Sequence, residues 1–423
     1  FGGPAGAVGV MLGLPVVILV LYFGCGAEFC VTGPSTAAEL PSRVWHGLTT
    51  QRLWSWTAAA VVFGWTFLHF ALYLLLPGPT VYGVKLRDGT RLRYFMNGHL
   101  SFWLSLAACC GLPVFGADGA VTGVYRLPLP WLYDHYLELI FASMALSISI
   151  AVYSYASSYL QKQLLADGGD TGWKVYDFYI GRPLNPRIGA LDLKAACELR
   201  PGLIGWMVLN LGMAAKQYET TGQVSGAMFC VNLFQALYVW DALYNEQAIL
   251  TTMDITTDGF GFMLAFGDLS WVPFTYSLQA RILVDHDQAL PPWALVAIAL
   301  INVMGFAIFR GANSQKDAFR RDPHDPAVAH LTFLETARGT RLLTSGWWGM
   351  ARKINYTGDW MMGLAWCLCC GGASPLAYFY SAYFLVLLVH RSARDDHFCS
   401  LKYGDDWRRY KEVVRAVFIP GIV

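Results

Sequence analysis

One phenol and five carboxylates crowd a stretch that is otherwise among the most apolar in the chain: Tyr238, Asp241, Glu246, Asp254, Asp258 and Asp268. A carboxylate in hydrocarbon costs roughly 2.5–3.5 kcal/mol unless it is paired, hydrated or protonated, so a group of them marks a polar cavity. The plainer reading puts Glu246 and Asp254 at a short cytoplasmic turn near 247–257. In that reading Asp268 pairs with Arg281 or caps a broken helix. On a helix, Tyr238, Asp241 and the 245–246 pair fall broadly on one face. A phenol held by carboxylates, with Phe234, Trp240 and Phe260 excluding water, has the makings of a general acid. The candidates for proton delivery are Tyr238, Asp241, Glu246 and Asp258; the plain alternative for Tyr238 is an ordinary packing or interfacial tyrosine.

A second group is cationic and aromatic. Lys316, Arg320 and Arg321 stand together, followed by Arg338, Arg341, Arg352 and Lys353, then Arg391, Arg394, Lys402, Arg408 and Arg409. Trp347, Trp348, Tyr356, Trp360, Tyr403, Trp407 and Tyr410 are interleaved with them. Guanidinium forks bind phosphate bidentately and rings stack on planar groups, so the pattern suits a phosphorylated, planar ligand. The alternative is that the charges only face anionic headgroups. No GxGxxG or P-loop is present, which excludes a Rossmann or Walker site and leaves a nucleotide pocket built from helices and loops. The Cys367, Cys369 and Cys370 cluster has no neighbouring histidine and reads as small apolar residues rather than a metal site. Cys25 and Cys30 have a spacing that allows a disulfide.

The elements that must position these groups follow from composition. Of 423 residues, 55% are hydrophobic and 14% charged, against about 25% charged in soluble domains. The net charge of +1 excludes a basic nucleic-acid binder. The chain reads as an all-α polytopic membrane protein, a single domain over 1–423 with N-terminal helices and a loop in 1–200 and a catalytic core in 201–423. A crossing needs about 20 mostly apolar residues. Runs at 8–24, 55–77, 97–116, 137–160, 201–218, 225–246, 259–283 and 293–310 qualify, and 357–389, broken at Gly371–Pro375, supplies two shorter helices. That makes about ten spans. The alternating residues of 78–96 around Asp88-Gly89 predict a β-hairpin. Starting at Phe1 without Met or a charged leader, the chain reads as truncated, and its first apolar run as a span rather than a signal peptide. All but five of the 30 Lys and Arg residues (Arg43, Arg52, Arg126, Lys216 and Arg281) lie in 78–96, 161–200, 310–356 or the tail from His390. Ten helices put all four segments on one face, which the positive-inside rule makes cytoplasmic, together with both termini. The Asn355-Tyr356-Thr357 sequon then escapes glycosylation.

Three long motifs carry a resemblance. Gly172–Arg187 (GWKVYDFYIGRPLNPR), Leu342–Trp360 (LLTSGWWGMARKINYTGDW) and Leu388–Trp407 (LVHRSARDDHFCSLKYGDDW) resemble signatures of the integral-membrane sterol reductase family. The likeness extends over essentially the whole chain, with one departure at Lys353, where relatives often have His. Thr251–Gln279 and the opening Phe1–Gly6 resemble the Δ14 branch, which includes the sterol reductase domain of the lamin B receptor; Δ7 reductases carry bulkier residues around Gly259 and Phe262. With no basic N-terminal domain ahead of it, the chain resembles the free enzyme.

What the resemblance implies is NADPH-dependent reduction of the C14=C15 bond of Δ8,14-sterols taken from the bilayer, with membrane lipids as surroundings and no metal. Its site would be endoplasmic reticulum membrane in a eukaryote or inner membrane in a bacterium. The implied cofactor contacts are Lys316, Arg320, Leu343, Trp348, Asn355, Tyr356, Asp395, Cys399, Lys402, Tyr403 and Tyr410, and the implied catalytic pair is Tyr238 with Asp395. The alternatives are a Δ7-sterol reductase, an isoprenylcysteine-type methyltransferase and a non-catalytic sterol-binding scaffold. The topology has a direct check: a glycosylation acceptor inserted near Gly119 becomes modified and one near Gly168 does not, whereas the reverse pattern overturns ten helices.

Overall fold

The structure is a computed structural model that describes residues 2–115 and 121–421. Its backbone contacts form two units, Phe1–Asp287 and Gln288–Val423. Both are mainly helical, with short two-stranded hairpins between helices.

Unit 1 opens with α1 (Gly3–Gly24), which tolerates Pro15 in its interior. The chain then turns through β1 (Cys25–Gly26) and β2 (Phe29–Cys30), closed by a Cys25–Cys30 disulfide at the spacing that suggested it. Helix α2 (Pro34–Thr50) buries only Gly47, whose missing side chain makes room for the Phe23 ring. In α3 (Trp56–Leu75) the Ser55 hydroxyl caps the first turn by accepting from the Ala58 amide at 3.1 Å. The hairpin expected in 78–96 forms as β3 (Thr80–Tyr82) and β4 (Arg93–Phe95), with Gly89 at φ 86° in its turn.

Helix α4 (Gly98–Cys110) is 13 residues, shorter than the 97–116 run. Gly111, at φ 149°, ends it, Pro113 follows, and β5 (Leu112–Phe115) pairs with β6 (Val121–Tyr125). Residue 116, the last of that run, and Gly119 lie outside the described residues. Next come α5 (Trp131–Asp134), α6 (Tyr136–Leu160), α7 (Lys174–Ile180), β7 (Arg187–Ile188), β8 (Leu191–Asp192) and α8 (Leu193–Leu199). Then follow α9 (Pro201–Thr221), α10 (Gly226–Tyr244), a 3₁₀ turn over Glu246–Thr251, and α11 (Met253–Thr256). The 259–283 run is not one regular helix. It divides into α12 (Phe262–Phe266), a π turn over Gly267–Trp271, α13 (Val272–Tyr276) and α14 (Leu278–Asp285). Pro273 has no amide hydrogen to donate to the preceding turn, and the ladder widens ahead of it.

Although charged, the segment 161–200 is largely buried in its second half. A Cβ on Gly259 would stand 1.9 Å from the Gly181 carbonyl, and one on Gly181 2.4 Å from the Gly261 amide, so only glycines let these two backbones touch. Asp192 is fully buried against Arg187 at 2.9 Å and caps α8 through the Ala195 amide.

Arg200, 1% exposed, stands at the start of α9. It ion-pairs with buried Glu246 and donates to Asn97 Oδ1 at 3.0 Å and the Phe95 carbonyl at 3.1 Å. Its guanidinium also lies 4.6 Å over the Tyr73 ring. Glu246 Oε2 accepts from the Gly98 amide at 2.9 Å, placing a carboxylate at the N-terminus of α4, where the helix dipole favours it. One pair thus ties together α3, β4, α4, α9 and the 3₁₀ turn.

In unit 2, α15 (Pro292–Arg321) is followed by the hairpin β9 (Phe333–Glu335) and β10 (Arg341–Leu343), α16 (Trp347–Met350) and α17 (Ile354–Leu368). A break containing Gly371–Pro375 precedes α18 (Phe379–Tyr403) and α19 (Asp405–Val413). Backbones of α15 and α17 touch where Gly305 and Gly358 face each other: a Cβ on either would lie 2.5–2.7 Å from the other's carbonyl oxygen.

Among the described residues, five helices are long and apolar enough to cross a membrane: α1, α3, α6, α10 and α15. Truncating Arg200 to Ala leaves Glu246 buried without its cation, a loss of about 3–5 kcal/mol. Thermal unfolding in detergent should show a large drop for Arg200→Ala and a partial recovery when Glu246→Leu is added.

Candidate active site

Helix α15 carries its cations where it emerges from its apolar run, because residues after Arg310 become polar: Asn313, Gln315, Lys316, Arg320. Lys316 Nζ lies 4.3 Å over the Trp348 ring, whose indole donates to the Ala312 carbonyl at 2.8 Å and so fixes the plane of the platform. The Trp347 amide donates to Gln315 Oε1 at 3.0 Å, holding α16 on α15. Leu343 and Trp348 sit in one buried cluster with Ala312, Phe319 and Ile354. The charged neighbours of Lys316 are Arg320 and Lys353, both positive. Neither Lys316 nor Arg320 makes an ion pair among the described residues. Two adjacent cations with no carboxylate between them form a site for an anion.

Lys353 ion-pairs with Asp395 and stands 5.6 Å from the Tyr356 ring centroid. Burial holds its ammonium below the usual lysine range. Asn355 donates through Nδ2 to Asn313 Oδ1 at 3.3 Å, while its own Oδ1 is buried with no partner. A buried acceptor left open costs about 1–3 kcal/mol, which a ligand N–H would recover. On the far side, Trp407, Tyr410 and Val414 form a small core against which Leu342, Cys399 and Tyr403 pack. Asp396 orients this core by accepting from the Trp407 indole at 2.9 Å and Lys411 at 3.3 Å. Burial pushes the Tyr410 phenol up to about 12, so it stays neutral. Lys402 lies 4.9 Å over Tyr403, and its carbonyl accepts from Arg338 at 3.2 Å.

Unit 1 holds the acidic stretch. Tyr238 is partly buried on α10, its ring 6.3 Å from Trp206. One turn away, Gln235 accepts from the Trp206 indole at 2.9 Å and donates to the Tyr276 carbonyl at 3.1 Å, a polar belt across α9, α10 and α13. Asp241 is buried and accepts from Asn245 at 3.3 Å. Glu246 lies beyond the end of α10, its two oxygens engaged by Arg200 and the Gly98 amide. Buried Lys194 donates to the carbonyls of Asp254 and Asp258, at 2.5 and 2.6 Å, and burial pulls its ammonium down to about 8. Arg281 is spent on the carbonyls of Tyr22 and Cys25, and Asp268 Oδ2 is buried without a partner.

Lys316 and Trp348 are in contact in unit 2, as are Lys353, Tyr356 and Asp395, and Asn355 lies beside Tyr356 on the same helix, while Tyr238, Asp241, Glu246 and Asp258 belong to unit 1. Sequence reasoning passed over Asn313 and Gln315, whose only signal is two amides following an apolar run, and did not pair Lys353 with Asp395.

The profile of the ergosterol biosynthesis ERG4/ERG24 family matches residues 1–423. The chain belongs to that family. ERG4/ERG24-type relatives align along its whole length. Delta(14)-sterol reductase TM7SF2 of Mus musculus is 47% identical over 424 residues, covering 100% of this chain and 97% of the mouse protein. Delta(14)-sterol reductase erg24 of Schizosaccharomyces pombe is 45% identical over 427 residues, covering 100% and 96%. Delta(14)-sterol reductase LBR of Gallus gallus is 46% identical over 413 residues, covering 97% of this chain and 62% of the chicken protein. Proteins named as reductases need a source of reducing equivalents, and the apolar helices of this ERG4/ERG24 member make it a membrane protein.

Proposed function

We propose that this chain is a Δ14-sterol reductase that uses NADPH to saturate the C14=C15 bond of Δ8,14-sterols drawn from the bilayer. The observation that carries the reading is identity of 45–47% along the full chain to proteins bearing that name. Residues of unit 2 support this choice of cofactor. Lys316 and Arg320, one helical turn apart and free of carboxylates, match a phosphate, and the open Asn355 Oδ1 matches a carboxamide or ribose donor. Trp348, Tyr356 and Tyr410 are assigned to stacking, and Leu343, Asp395, Cys399, Lys402 and Tyr403 to the remaining cofactor contacts. The chemistry a reduced nicotinamide supplies there is hydride.

The remaining chemistry belongs to side chains. A diene with no electron-withdrawing group resists hydride, so a proton must come first, to C15, leaving an allylic cation at C14 conjugated with the C8=C9 bond. Tyr238 is assigned the proton, with Asp258 or Glu246 as the alternative donor, and nearby carboxylates stabilise developing positive charge. Asp395, which holds Lys353, is also assigned a catalytic role. About ten membrane crossings are assigned, with both termini cytoplasmic, in the endoplasmic reticulum of a eukaryote or the inner membrane of a bacterium.

Two variants test the assignment. Arg320→Ala should raise the KM for NADPH far more than that for NADH, because a lost charge-assisted bond is worth roughly 1.5–3 kcal/mol; an equal loss with both moves Arg320 away from the 2′-phosphate. Tyr238→Phe should keep cofactor binding yet lower kcat by roughly 10²–10⁴. Turnover within a few-fold of wild type passes the donor role to Asp258 or Glu246.

A further inference from the structure

Unit 1 contains a cavity of about 230 Å³ between α3, α6, α9 and the run from the π turn into α13. No charged residue lines it. Its mouth includes Val61 and Leu68, exposed on the outer surface of α3, one of the membrane-crossing helices. Gly205 and Val208 bring the wall to one face of α9, while Trp206, on another face, points to Tyr238. The cavity is thus separated from Tyr238 by the thickness of α9.

Three observations define the occupant. The wall is held rigid: the Trp65 indole donates to the Pro201 carbonyl at 2.9 Å, joining α3 to α9, and Ser270 bonds Ser143 at 3.0 Å and Ser147 at 2.8 Å, joining the π turn to α6. It is flat in part, because Gly64, Pro201 and Pro273 present backbone and ring, and the Trp65 indole packs over Gly205. Its polar provision is small and uncharged. Thr66 and Ser143 line it, and one turn along α3 His69 is 0% exposed with neither ring nitrogen partnered, its ring 4.3 Å from that of Trp65. A preformed slot favours a rigid ligand, since a flexible acyl chain would surrender rotamer freedom to enter it. A phospholipid would also need a charged rim for its headgroup.

We propose that this cavity is a sterol site distinct from the Tyr238 face, seating part of a rigid ring system from the bilayer with its single hydroxyl toward Thr66, one helical turn from His69. The ligand class rests on the sterol reductase reading; the existence and shape of the site do not.

The test uses the full chain in phosphatidylcholine vesicles with a photoactivatable diazirine sterol, mapping the label by peptide mass spectrometry. Label on α3, α6 and α9 residues of the cavity, competed by unlabelled sterol, is expected. Gly64→Phe should reduce that label at least tenfold, since a Cβ there meets nothing within 4 Å and the ring can fill the slot; its unfolding temperature should stay at the wild-type value. Label confined to other residues, or labelling of the cavity by a photoactivatable phosphatidylcholine that excess sterol does not displace, overturns the proposal. Turnover of a Δ8,14-dienol is followed in parallel. Turnover without cavity label removes this inference and leaves the reductase reading standing; cavity label without turnover does the opposite.

Discussion

The Arg200–Glu246 pair is the interaction on which the architecture of unit 1 depends. Two opposite charges, 1% and 5% exposed, are tolerated only because each has further partners: Asn97, Phe95 and Tyr73 for the guanidinium, the Gly98 amide for the carboxylate. Such a pair need not add stability over apolar residues of the same shape, but either half alone would be ruinous. What it confers is register. Strand β4, the first turn of α4, the start of α9 and the turn after α10 must all arrive at one point, and that fixes where Tyr238 and Asp241 stand on α10.

The same rule, applied to charges that lack a counterpart, separates framework from site. Asp192 has Arg187, and Lys194 has the carbonyls of 254–258. Lys316 and Arg320 have each other's repulsion and the face of Trp348. Asn355 presents an acceptor to nothing. These groups lie together at the end of α15 and the start of α17, two helices whose backbones touch at Gly305 and Gly358.

How much of this was legible beforehand depends on the range of the interaction. The apolar runs behind α1, α3, α6, α10 and α15, the β3–β4 hairpin and the break at Gly371–Pro375 are local patterns, and each appears where its pattern lies. The early end of α4 at Gly111 was also local, yet hydropathy counts residues and ignores backbone angles. The π turn before Pro273 escaped for the same reason. Glu246 looked like a membrane carboxylate in search of a role, because its cation is 46 residues upstream and no periodicity connects them. The cofactor-type residues were legible as a group, since unpaired cations among aromatics are a compositional signal. Their partners Asn313 and Gln315 were not, being ordinary amides until α17 packs against them.

The most direct measurement of the central claim is reduction of a Δ8,14-dienol by the purified chain with NADPH in deuterium oxide, the product analysed by mass spectrometry and NMR. Protonation by a side chain in exchange with solvent, followed by hydride from the reductant, predicts a C14-saturated product with one deuterium at C15 and none at C14. No C14 reduction, or solvent deuterium at C14 in place of C15, would contradict it.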